Sequence, residues 1–170
     1  AKEAEQLART AGSKRFIARS IRAQGTSLGE MGRLKESEAA LRRAGELAKE
    51  VGDLHCLAAS KRGQGACLTQ LGDAVGAGSQ LQEALDLYRG LGEGYGVTVC
   101  LIGLSRQAIL LQNYDRAASL AAEALDSARR LGFRSLVVDS VNQRGEAARG
   151  LGQFDVAEQS YKEAIRLARK

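Results

Sequence analysis

The chain has 170 residues, of which 44% are hydrophobic, and a formal net charge of +5. This hydrophobic fraction excludes a disordered chain, and no apolar run reaches the roughly 20 residues that a membrane-spanning helix requires. The three cysteines, Cys56, Cys67 and Cys100, are odd in number and lack the Cys-x-x-Cys spacing of metal and redox motifs. They predict reduced thiols in an intracellular compartment, so we expect a cytoplasmic protein.

Two glycine positions and one alanine position recur along the chain at one constant interval. They are Gly32, Gly72 and Gly152 for one turn, Gly12, Gly52, Gly92 and Gly132 for a second turn, and Ala44, Ala84, Ala124 and Ala164 for the alanine column. In the third repeat Gln112 occupies the position of the first-turn glycine, and Asn113 beside it is the expected turn residue. A fixed period with two turn signals per unit predicts an array of helix pairs.

In chain order, the apolar spacing predicts nine helices, of which the first is incomplete. Residues 1–12 form the end of a preceding repeat, and four repeats follow at 13–52, 53–92, 93–132 and 133–170. We name the two helices of each repeat helix A and helix B. Their expected bounds are about 13–31 and 34–51, 54–71 and 74–90, then two helices within 95–130 and two within 134–169.

Three local features modify this pattern. Asp53 is expected to cap the N-terminus of the second helix A. The run Val75-Gly76-Ala77-Gly78 predicts a late or distorted start of the following helix B, since glycine costs about 0.8–1 kcal/mol against alanine within a helix. Four glycines in residues 90–96 predict a flexible hinge between the second and third repeats.

The last helix presents Tyr161, Ile165 and Leu167, at positions that receive the next helix in earlier repeats. A terminal repeat is normally polar on its outer face. With the start of the chain inside a helix, this face predicts a fragment of a longer array, which can self-associate through its end helices.

The small and bulky columns follow one order in each repeat. They are Gly25, Gly65 and Gly145 in helix A, then Ser37, Ala77, Ala117 and Ala157, then Leu41, Leu81 and Tyr161, with Ser105 and Ala121 as the exceptions in the third repeat. This order resembles the tetratricopeptide repeat, whose usual unit has about 34 residues. The 40-residue form resembles the subclass found in Leu-Gly-Asn-type scaffolds and in sensor domains of bacterial transcription activators and signalling ATPases.

The resemblance implies an all-α, right-handed superhelical solenoid of antiparallel helix pairs, with about four repeats and a half helix. It also implies that the A helices line a concave groove. The four A helices carry net charges of +3, +2, +1 and +1, which make +7, so the rest of the chain carries −2. We therefore expect a basic groove.

Outward-facing positions of the A helices supply the candidate partner-binding residues. They are Arg19, Arg22, Arg62, Gln70, Ile102, Arg106, Ile109, Asn142 and Arg149. Arginine presents a planar fork that matches a carboxylate, so a ladder of arginines suits an acidic or amphipathic peptide segment. Ile102 and Ile109 have two interpretations: they form an apolar pocket in the groove, or they belong to the core.

Other chemistry finds little support in the sequence. His55 is the single histidine, and no phosphate-binding loop, Gly-x-Ser-x-Gly motif or metal-ligand spacing occurs. We expect no catalytic activity, no metal and no cofactor. Nucleic acid is a minor option, since aromatic residues do not alternate with the basic positions.

Two functional hypotheses follow. The first is a protein–protein interaction module that binds an acidic or amphipathic segment in the groove. The alternative is a regulatory or sensor region of a larger signalling or transcription protein, which binds an effector or self-associates.

Overall fold

The computed structural model describes residues 2–169, with the side chains of 10–169, and this part of the chain contains eight α-helices and no strand. They are α1 (Lys2–Glu30), α2 (Leu34–Glu50), α3 (Leu54–Leu71), α4 (Ala74–Gly90), α5 (Gly94–Leu110), α6 (Tyr114–Leu131), α7 (Arg134–Gly150) and α8 (Phe154–Ala168). Helices α1, α3, α5 and α7 are the A helices, and the other four are the B helices. The all-α, helical-repeat fold class is confirmed.

Left-handed residues make the turns between helices. Six glycines have positive φ, from 67° at Gly52 to 85° at Gly72. Gln112, at φ 56°, is the one other residue of the described chain with positive φ, and it stands where the repeat pattern expects a turn glycine. At Gly52 the following N–H, from Asp53, donates to the carbonyl oxygen of Ala48 at 2.9 Å. This bond satisfies a helix-end carbonyl, as in a Schellman motif.

Short polar side chains cap three of the helix starts. Asp53 accepts from the Cys56 N–H at 3.1 Å, as predicted, and Asn113 caps α6 in the same way. The expected late start of α4 is wrong: α4 begins at Ala74, in register with the other B helices. Asp73 accepts a hydrogen bond from the Gly76 N–H at 2.8 Å, so a cap offsets the weak propensity of the glycines.

The expected turn at Gly12 is also wrong. Residues 2–30 form one continuous helix through Gly12, so the described chain has eight helices where nine were predicted. Glycine permits a left-handed turn but does not impose one, and a continuous helix keeps every backbone hydrogen bond across this point.

The chain divides into two compact units, Ala1–Leu87 and Tyr88–Lys170. In the first, Ala18, Ala48, Cys56 and Leu57 form a buried cluster. In the second, one cluster contains Ala108, Ala117 and Ala147, and another contains Leu125, Val141 and Ala164. These cores lie between successive helices, as expected for a repeat array.

Two glycines of the expected hinge lie inside α5. A Cβ at Gly96 would overlap the ring of Tyr88, so this glycine lets the ring and the helix approach closely. Close packing therefore explains one glycine of the run. The hinge itself stays a prediction.

Candidate functional site

In the first unit, a groove of about 240 Å³ lies between the neighbouring A helices α1 and α3. Its lining comprises Thr26, Gly29 and Glu30 of α1, Ser37 and Leu41 of α2, and Arg62, Gly63, Ala66, Cys67 and Gln70 of α3. Below the opening, the Ser37 hydroxyl lies 3.1 Å from the Cys67 sulfur and donates to the Gly25 carbonyl oxygen at 2.6 Å. Two of the predicted partner-binding residues, Arg62 and Gln70, therefore share one groove.

Arg22 and Arg62 occupy the same repeat position on α1 and α3. Both side chains are half-buried. The Arg22 Nε atom is buried and has no hydrogen-bond partner within the described residues. Neither guanidinium belongs to an ion pair of the described chain. A buried donor without a partner costs about 1–3 kcal/mol.

Two other predicted arginines are already bound by carboxylates of the chain. Arg19 Nε lies 2.8 Å from the Asp53 carboxylate, and Arg149 lies 2.8 Å from Glu146. The hydrogen bond from Arg149 lowers the pKa of Glu146, although burial opposes the shift. Glu146 also accepts from the Tyr161 hydroxyl at 2.7 Å. A partner's carboxylate would therefore have to compete with Asp53 for Arg19 and with Glu146 for Arg149.

The remaining predicted residues lie on α5 and α7 of the second unit. Ile102 is 6% exposed, so the core interpretation applies to it. Ile109 is half-buried and packs against the cluster that contains Ala108. Arg106 is exposed and Asn142 is half-buried, and neither is in an ion pair of the described residues. Ile102 is therefore too buried to line the apolar pocket that one interpretation expected, whereas Arg106 stays exposed and outside any ion pair of the described residues.

Several cations of the A helices are paired with acids, which the charge count alone did not reveal. Lys14 lies 2.9 Å from Glu50, Lys61 lies 2.7 Å from Glu83, and Arg144 lies 2.8 Å from Glu163. In each pair the acid lies on the B helix that follows the A helix of the cation. These pairs reduce the basic excess that the sequence assigns to this set of helices.

A second set of ion pairs joins successive B helices, and a periodic pattern in the sequence could have indicated it. Cations at the end of one B helix pair with acids on the next B helix: Arg89 with Glu123 at 2.8 Å, and Arg129 with Glu163 at 3.3 Å. Both the cation and the acid recur at the same place in successive repeats of the sequence. Exposed pairs of this kind contribute little stability, about 0–1 kcal/mol each.

The chemistry of the described residues offers no metal site, since no cluster of three or more His, Cys, Asp or Glu side chains occurs among them. The three cysteines are buried free thiols, and burial raises the pKa of Cys56. No helix within residues 2–169 is both long and apolar enough to cross a membrane.

These features define a helical-repeat protein. Residues 138–170 match the family described as Tetratricopeptide repeat. The match and the repeated helix pairs support the tetratricopeptide-repeat assignment that was predicted from the glycine and alanine columns. The 40-residue subclass stays a prediction. No curated protein matches the sequence.

Solved structures with the same fold are distant in sequence. BtubC (BKLC) from P. vanneervenii is 18% identical, with a TM-score of 0.82 over 92% of this chain. The Signal Transduction ATPase with Numerous Domains protein with a tetratricopeptide repeat sensor, from Pyrococcus horikoshii, is 16% identical, with a TM-score of 0.78 over 91% of this chain. The alignments cover 65% and 24% of those two chains, respectively. At this identity the likeness concerns the fold alone.

Proposed function

We propose that the chain is a protein-interaction module that binds an acidic or amphipathic segment of a partner protein through the α1–α3 groove of the first unit. The observation that carries this proposal is the state of two arginines at one repeat position, of which Arg62 lines the groove and Arg22 lies on the neighbouring helix α1. Arg22 has a buried Nε without a partner, and Arg62 lines the groove without an ion pair. Both can therefore bind a carboxylate without first breaking an internal ion pair.

The groove also offers a second kind of contact. Gln70 is exposed and can bond a peptide backbone, while Ala66 provides exposed apolar surface. Glu30 lies in the same groove and would repel a carboxylate placed beside it. An amphipathic segment, with its acidic residues toward Arg22 and Arg62, fits this arrangement better than a uniformly acidic one.

A charge reversal tests the proposal. The double variant Arg22→Glu with Arg62→Glu should lose binding of a labelled peptide that alternates acidic residues with leucine, measured by fluorescence anisotropy. Wild-type binding should weaken with added salt, because exposed charges are screened over about 10 Å at 0.1 M. A peptide with lysine in place of the acidic residues should not bind.

The matched control is Arg116→Glu with Arg130→Glu, which makes the same change of net charge at exposed positions of α6. It should bind like the wild type, and all variants should keep the same helical content by circular dichroism. Full binding by the Arg22 and Arg62 variant would show that the groove is not the site.

We keep the sensor region of a larger protein as a second candidate function. It is favoured by the likeness in fold to a signal-transduction protein that carries a tetratricopeptide repeat sensor. An ATPase or helix-turn-helix domain encoded beside this chain would favour the sensor role, and a run of further repeats would favour the interaction module. A cytoplasmic location stays a prediction.

A further inference from the structure

A larger cleft, of about 530 Å³, lies where α2, α3 and α4 of the first unit meet. None of the predicted partner-binding residues lines it. Leu57 and Leu87 provide apolar surface, and Gly45 leaves the space above them open. The volume falls within the range of small-molecule sites, about 300–1,000 Å³.

The corresponding place in the second unit is filled. Two repeats further along the chain, Leu125 stands for Gly45 and Val141 stands for Lys61. Leu125 and Val141 are fully packed in one apolar cluster with Val137, the counterpart of Leu57. The cleft is therefore a property of the residues of the first unit and not of the repeat fold.

The Gln64 amide opens onto the cleft. The Gln64 side chain belongs to a residue that is 7% exposed, and its Nε2 lies 3.6 Å from where a Cβ at Gly45 would stand. No hydrogen bond to this amide occurs within the described residues. The amide nitrogen and oxygen of Gln64 are therefore available to donate to and accept from a ligand in the cleft.

The second unit shows why this amide is left without a partner. Its counterpart, Arg144, donates to Ser160 at 3.1 Å and to Glu163 at 2.8 Å. In the first unit the two equivalent acceptors are bound by Lys61 instead, Gln80 at 3.3 Å and Glu83 at 2.7 Å. Gln80 and Glu83, the counterparts of the two acceptors of Arg144, therefore bind Lys61 and not Gln64.

Charges of both signs surround the apolar surface. Lys49 and Glu46 line the cleft and are in no ion pair of the described chain, while Arg42 and Asp86 add a further charge of each sign. Since the two signs balance, the rim does not select a purely anionic or purely cationic ligand. It matches a molecule that carries an ammonium and a carboxylate.

We propose that this cleft binds a small zwitterion with an apolar body, of the size of an apolar amino acid or dipeptide. The apolar body packs on Leu57 and Leu87, the carboxylate lies toward Lys49, the ammonium lies toward Glu46, and a peptide or carboxylate group bonds the Gln64 amide. The site is separate from the α1–α3 groove, so it stands or fails independently of the function proposed above.

The experiment titrates the ¹⁵N-labelled 170-residue chain with leucine, phenylalanine and leucyl-leucine, and follows amide chemical shifts. Saturable shifts are expected at the Gln64 side-chain amide and at the backbone of Glu46 and Lys49. N-acetyl-leucine amide keeps the apolar body but removes both charges. Its affinity should therefore be lower by about tenfold or more. Absence of saturable shifts with all three zwitterions would overturn the proposal, as would equal binding of the uncharged analogue.

The matched variants place the same new side chain in two positions. Gly45→Leu fills the cleft as Leu125 does in the second unit, and an added Cβ meets its nearest neighbours at ordinary distances of 3.5–3.6 Å. It should abolish the shifts while leaving the helical content unchanged. Gly90→Leu, where a Cβ meets no atom within 4 Å, should bind like the wild type.

Lys49→Glu covers the case in which Gly45→Leu does not fold, since Lys49 is exposed. It should weaken zwitterion binding and not that of the uncharged analogue. Undiminished binding by a folded Gly45→Leu, or by Lys49→Glu, would exclude this cleft as the site.

Discussion

A bulky side chain packs against two glycines where the first and second repeats meet. A Cβ at Gly25 would lie 2.8 Å from Leu41 Cγ, and one at Gly63 would lie 2.8 Å from Leu41 Cδ1. In the third repeat Ala121 replaces the leucine, and Ser105 replaces the helix A glycine and donates to a backbone carbonyl of α6 at 2.9 Å. The smaller Ala121 leaves room for a side chain at position 105, so the two departures from the repeat pattern belong together. In the sequence alone they are two separate exceptions.

The charge of Asp53 is bound into the fold of the first unit. Its side chain is buried, which by itself would raise the pKa. Hydrogen bonds from Arg19 and from the Cys56 N–H, with the charge of Arg15, outweigh burial and lower the pKa of Asp53 below its usual 3.8. A carboxyl with a lowered folded pKa stabilises the fold above its unfolded pKa and loses that contribution as the pH falls through the folded value.

We predict that Asp53→Asn lowers the free energy of unfolding at pH 7 by about 1 kcal/mol, because asparagine keeps the cap but not the ion pair. The variant should also lose less stability than the wild type as the pH falls below about 4, since it lacks one group that takes up a proton. Urea unfolding at a series of pH values measures both effects. Asp126→Asn, at an exposed position of α6, is the control and should follow the wild type.

At the scale of the helix, the sequence predicted most bounds and failed where a glycine has two conformations open to it. The six turn glycines were identified from the period alone, because a left-handed residue is needed where two helices reverse. In the third repeat Asn113 was predicted as the turn residue, which is wrong: Gln112 is the left-handed residue, and Asn113 caps α6. Gly12 holds the same column but is helical. Sequence could not separate these cases, because glycine at the same repeat position permits both conformations.

Gly12 and Gly52 form a matched pair for testing this assignment. Gly12→Ala should raise stability or helical content, since alanine is about 1 kcal/mol better than glycine within a helix. Gly52→Ala should lower stability by about 1–2 kcal/mol, because φ is 67° there and an added Cβ strains a left-handed residue. Circular dichroism with urea unfolding measures both. A loss of stability in both variants would indicate a turn at Gly12.

At the scale of the whole chain, counting charge by helix indicated a candidate face and overstated the positive charge available on it. The count identified Arg22, Arg62 and Arg106, which remain outside the ion pairs of the described chain. It could not recognise that Arg19 and Arg149 are bound by acids, because such pairs depend on which side chains the fold brings together. The predicted groove over all four repeats stays a prediction, and the first unit supplies its testable part.

We propose that the 170-residue chain self-associates through α8. Ile165 is 52% exposed, whereas Leu85 and Leu125, at the same repeat position, are 2% and 4% exposed. Burial of such a side chain contributes about 1.5–3 kcal/mol, so a second copy that covers it is favoured at high concentration. Sedimentation velocity should show concentration-dependent association that Ile165→Lys reduces. Gln159→Lys, which adds the same charge at an exposed polar position of α8, should still associate, and a monomer at every concentration would contradict the proposal.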